Sequence, residues 1–141
     1  MTGPMWHGPA LDEALKDVTP ELASARPIPG AHTIWELVLH VTAWAEIAAA
    51  RARGERLADP AADEEWPPVG GTDQAAWDEA LKRLRDAHRA LAQAARHLED
   101  SRLHDKIPGL EYSLSNLLHG VIEHSTYHGG QIALLKRSAR R

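Results

Sequence analysis

The residues best suited to chemistry are two histidines four apart, His124 and His128, in the stretch Leu114-Ser-Asn-Leu-Leu-His-Gly-Val-Ile-Glu-His-Ser-Thr-Tyr-His-Gly-Gly-Gln-Ile-Ala-Leu-Leu135. If the stretch is helical, Leu114, Leu117, Val121, His124, His128, Gln131 and Leu135 alternate at spacings of three and four and form one inward seam. The two imidazoles then lie one turn apart on the same face, at positions where packing alone would favour leucine. Buried histidines must be hydrogen-bonded, charged at a cost, or bound to something. A pair at this spacing is the geometry by which a helix offers two adjacent ligands to one ion.

A third histidine, His40, lies within another apolar stripe, Leu37, His40, Trp44 and Ile47. Three buried histidines without a common partner need three separate hydrogen-bond solutions, whereas one divalent cation resolves all three. Three imidazoles suit a first-row transition metal and leave positions open for water or substrate. Gln131 could bond a metal-bound water or a histidine nitrogen, or be a buried amide satisfied by backbone. His88 occupies a seam position and is either a further ligand or base, or a core histidine bonded to a carbonyl or water; the second reading is preferred. His7, in Met5-Trp-His-Gly-Pro9, could line the mouth of the site, while His32, His97, His104 and His119 read as surface or cap residues. Glu123 sits beside the seam as an acid of the surface or one that supports a ligand from behind, and Gly129 and Gly130 point to close approach of a neighbouring helix or of substrate.

These residues need helices to position them. Leu11, Leu15, Val18 and Leu22 mark a first helix around Pro9 to Ser24, with Pro20 as a point of breakage. Thr33 and Glu36 form a capping-box signature opening a second helix that runs to about Arg53-Gly54. Residues 54–71 are rich in proline and acid and read as a long linker without regular structure, able to run back along the preceding helix. Trp77, Leu81, Leu84, His88, Leu91, Ala95 and Leu98 give the third helix, capped by Thr72 or Asp73. The fourth starts near Ser113 and reaches about Lys136. The expected fold is all-α: one domain over residues 1–141, a four-helix bundle in up-down-down-up order with a long crossover between helices two and three.

The bulk properties limit the function classes. A net charge of −4 argues against a general nucleic-acid binder. The cations Lys136, Arg137, Arg140 and Arg141 follow the last helix, whose carbonyl end suits positive charge. There is no cysteine, hence no disulfide or thiolate ligand, and no apolar run of membrane-spanning length, so a cytoplasmic protein is expected. Phosphate loops, His-Glu-x-x-His and paired Glu-x-x-His motifs are absent.

His40 in Trp35-Glu-Leu-Val-Leu-His-Val-Thr-Ala-Trp44, followed by His124-Ser-Thr-Tyr-His-Gly-Gly-Gln131, resembles the DinB/YfiT-like superfamily of metal-binding four-helix bundles. The similarity extends over nearly the whole chain, including Arg26-Pro-Ile-Pro-Gly-Ala-His-Thr-Ile-Trp35. It implies one divalent ion, zinc or nickel with iron or manganese as further options, held by His40, His124 and His128, and frequently a homodimer. It also implies a small-molecule or low-molecular-weight thiol substrate, in a thiol-dependent transferase or a hydrolase. The alternative from another class is a non-catalytic stress-related protein with a structural metal or a polar core.

Overall fold

The computed structural model describes residues 8–55 and 58–139, so the readings placed on His7, Arg140 and Arg141 lie outside the described residues. Among the described residues the chain is helical, without a β-strand: α1 (Leu11–Leu15), α2 (Pro20–Ser24), α3 (Ile34–Ala52), α4 (Ala62–Glu65), α5 (Gln74–Arg96) and α6 (Leu114–Ser138), with a 3-10 turn at Asp100–Arg102. Among the described residues no helix is long and apolar enough to cross a membrane.

The expected first helix is two short ones. Pro20 has no N–H with which to continue α1, so it begins α2 instead, behind a Thr19 hydroxyl that accepts from Leu22 N–H. Asp17, at φ 60°, makes the reversal between them. The break is fixed to the rest of the molecule by Trp77, whose buried indole N–H donates to Val18 O at 2.8 Å.

α3 opens with the expected reciprocal box, Glu36 N–H to Thr33 Oγ1 at 3.1 Å and Thr33 N–H to Glu36 Oε2 at 2.8 Å. It ends before Gly54, at φ 75°, the left-handed conformation in which glycine costs least. It packs against α5 on one side and α6 on another, with α2 and α4 also against it. That central position explains why Leu37, Val38, Val41, Ala45 and Ala48 are all buried, around more of the helix than one stripe. Trp35, Trp77, Leu84, Ile132 and Leu135 complete this core, and Leu91, Ile107, Leu114, Leu117 and Val121 extend it toward the other end. Each fully buried side chain of this size contributes about 1.5–3 kcal/mol.

Asp73 rather than Thr72 caps α5, and Ser113 caps α6. The linker is not wholly irregular, because the acids Asp63 to Glu65 favour a helical first turn and Glu64 accepts from the Ala61 N–H at 2.9 Å, which together form α4. Gly129 and Gly130 of α6 are not explained by crowding within the chain. A Cβ at Gly129 would make an ordinary 3.9 Å contact with Leu11, and one at Gly130 would meet nothing within 4 Å.

Candidate metal centre

α3 and α6 bring His40, His124 and His128 together, with their ligand nitrogens all within 4.8 Å of one another. His124 Nε2 lies 2.9 Å from His40 Nε2 and 3.1 Å from His128 Nε2. For metal–nitrogen bonds of about 2.0–2.1 Å, neighbouring ligand nitrogens fall about 2.9–3.4 Å apart.

The outer nitrogens decide which protons the rings carry. His40 Nδ1 is 2.7 Å from the Glu65 carbonyl oxygen, and His128 Nδ1 is 2.7 Å from Gln131 Oε1. Both oxygens only accept, so both Nδ1 atoms carry the proton and both Nε2 atoms present a lone pair. A proton on His124 Nε2 could serve one of those lone pairs at a time, whereas a cation serves all three nitrogens. The residues therefore fit a metal ion, and Gln131 takes the role of orienting a histidine. His124 lacks such an anchor: its Nδ1 is buried with no partner among the described residues.

Electrostatics favour the same state. Burial is the main force lowering all three pKa values, and the neighbouring imidazoles His128 and His40 help to pull His124 down to about 4. At neutral pH all three rings are uncharged, the form that binds metal.

Aromatic rings surround the cluster. Trp66, at the end of α4, stacks on His40 with centroids 3.8 Å apart and planes 9° from parallel. It lies between His40 and His32, which stacks on it at 3.8 Å and 14°. Trp44 meets His124 edge-on at 6.0 Å, and the exposed Tyr127 meets His128 at 5.0 Å. The sequence pattern missed Glu65, Trp66 and Tyr127; His32 is exposed beside the N-cap of α3, in keeping with its reading as a surface or cap residue, but its stacking on Trp66 was not foreseen. One signal was present, a tryptophan in an acidic, proline-rich linker.

His88 is not part of the cluster. Its Nδ1–H donates to Leu84 O at 2.9 Å, and its Nε2 accepts from the Ser125 hydroxyl at 3.4 Å, the arrangement of a satisfied core histidine. It lines a cleft of about 580 Å³ between α5 and α6, with Leu84, Leu91, Leu118, Val121 and Ser125, and none of the three clustered histidines is among the residues that line it. A second cleft, of about 270 Å³ by Glu46 and Arg83, also excludes them.

No curated protein and no solved structure matches the chain. A family model described as DinB superfamily matches residues 6–132, a span that contains all three clustered histidines, and the chain belongs to that superfamily.

Proposed function

We propose that His40, His124 and His128 bind one divalent transition-metal ion, zinc or nickel, and that the chain is a metal-dependent enzyme of the thiol-dependent transferase or hydrolase type. The carrying observation is the convergence of three Nε2 atoms, two of them with their lone pairs fixed by Nδ1–H donation to a carbonyl oxygen. In this reading α1 and α2 together take the place of one broken helix in a single four-helix domain of up-down-down-up order, with the linker as its crossover. A bound ion would supply a Lewis acid able to activate water or a small thiol. The chain's own part is to keep three imidazoles neutral, to orient two of them, and to leave the remaining coordination positions to small molecules. A homodimer is part of the same reading.

The second reading is a non-catalytic protein whose histidines serve a structural ion. It is compatible with the lining of the two clefts, which consists of other residues.

Metal titration followed by elemental analysis tests the first step. The wild-type chain is expected to take up one ion, and the His124→Ala, His128→Ala double variant to lose it. Wild-type affinity no higher than that of the double variant would sink the proposal. Transfer and hydrolysis assays on the metal-loaded chain then separate the two readings.

A further inference from the structure

We infer that the segment Ala62–Trp66 is a positioning clamp for His40, in which the Glu65 carbonyl fixes the ring's proton and the Trp66 indole fixes its plane. The inference rests on the proposed metal reading of the same histidines and deepens it.

A histidine on a helix has two side-chain torsions, and a ligand must have both set before the ion arrives if affinity is not to be lost in ordering it. His128 has its proton held from its own helix, by Gln131 three residues on. His40 has no such neighbour on α3. Its Nδ1–H bond runs instead to Glu65 O, 25 residues downstream. That bond lies in the plane of the ring and sets its rotation within the plane. The parallel indole of Trp66, 3.8 Å away, sets the tilt. Two adjacent residues of the linker thus fix both degrees of freedom.

The clamp is braced on both sides. Behind Trp66 lies His32, whose Nδ1 is 3.2 Å from Glu36 Oε2. Glu36 is held in turn by Arg26 at 2.8 Å and by the Thr33 N–H, so the stack is tied to the N-cap of α3. Upstream, the buried Arg51 bonds Ala58 O at 3.1 Å and Asp59 Oδ1 at 2.9 Å and fastens the linker to the last turn of α3. Between these points α4 is closed by Trp66 N–H to Ala62 O, at 2.9 Å. A segment fixed at each end, with a capped helical turn between, holds its carbonyl and its indole where the ring needs them.

Trp66 also packs against the main core, so a purely structural role must be distinguished from positioning. Zinc affinity is measured by competition with a chromophoric chelator, and the visible spectrum of the cobalt-loaded chain reports the coordination geometry. Removal of a group that orients a metal-bound histidine costs about 10–100-fold in affinity, and a loss in that range is expected for Trp66→Ala, with an altered cobalt spectrum. Trp66→Phe, which keeps an aromatic face, should restore most of it, and His32→Ala should weaken binding less than Trp66→Ala. If Trp66→Ala fails to fold, Trp66→Leu keeps apolar volume against the core without a stacking plane and gives the same readout. Wild-type zinc binding with unchanged affinity and cobalt spectrum in folded Trp66→Leu and His32→Ala overturns the clamp and leaves the metal site standing. Absence of metal binding by the wild-type chain removes both.

Discussion

His124 and Ser125 are consecutive residues of α6, about 100° apart around its axis, and the two directions carry buried histidine chemistry of different kinds. Toward α5, the single ring of His88 has a partner for each nitrogen, a carbonyl for the proton and a hydroxyl for the lone pair. Toward α3, three rings share their inner nitrogens with one another, and the two outer nitrogens that are anchored carry the protons. Burial lowers the pKa on both sides, so a depressed pKa does not separate a ligand from a core residue. The direction of the lone pairs does. At His88 the lone pair is answered within the chain, and at the cluster three lone pairs compete for whatever occupies the space between them.

The contrast is broken most directly by removing one ring from each side. His40→Ala should lower zinc affinity at least about a hundredfold, more than the loss of an orienting group alone. His88→Ala should leave affinity within about twofold and destabilise the metal-free chain by about 1–3 kcal/mol, through a vacated volume and an unanswered Ser125 hydroxyl. Equal losses of affinity in the two variants would erase the distinction.

A second test uses acid. Folded-state values below the free-histidine value of about 6.5 mean that these rings contribute nothing to pH dependence well above it. As pH falls below that value, the unfolded chain takes up protons that the folded chain resists. Stability of the metal-free protein should therefore drop across the window from about 6.5 toward the value of about 4 held by His124. Urea unfolding midpoints at several pH values measure it, and a midpoint constant from pH 7 to pH 5 would contradict the assignment. Zinc should raise the midpoints at pH 7 and lose that effect in acid, where protons compete for the same nitrogens.

The smallest expected effect sharpens the difference among the ligands themselves. Gln131→Ala should weaken zinc binding about tenfold, because His128 loses the acceptor that fixes its tautomer, while the equivalent change at Ser125 should leave binding as it is. Isothermal titration of the two variants side by side compares them, and equal affinities would remove Gln131 from the site.

Much of this arrangement could be read from the residue pattern. The seams of α3 and α5, most of the seam of α6, the Thr33–Glu36 box and the break at Pro20 follow from side-chain spacing and local backbone chemistry, and all appear in the structure. His40, His124 and His128 could be grouped because each interrupts an apolar stripe. The acceptor for His40 could not, because it is a backbone carbonyl and every residue has one. Nor could the Trp66 stack, since it depends on the path of a non-periodic linker. Ser125 escaped for a third reason: α6 buries Ser125 and Ile132 where the expected seam has His124 and Gln131, which are only half-buried, so its buried face is turned from the expected one.

The cationic end of α6 has a role other than balancing its own dipole. The Lys136 ammonium donates to Ala14 O, at 3.1 Å, and to Lys16 O, carbonyls at the end of α1 more than a hundred residues earlier. A helix of five residues does not persist alone in water. The groups that complete the last turn of α1 thus belong to α6, and a helix too short to stand alone is closed off by a side chain more than a hundred residues away.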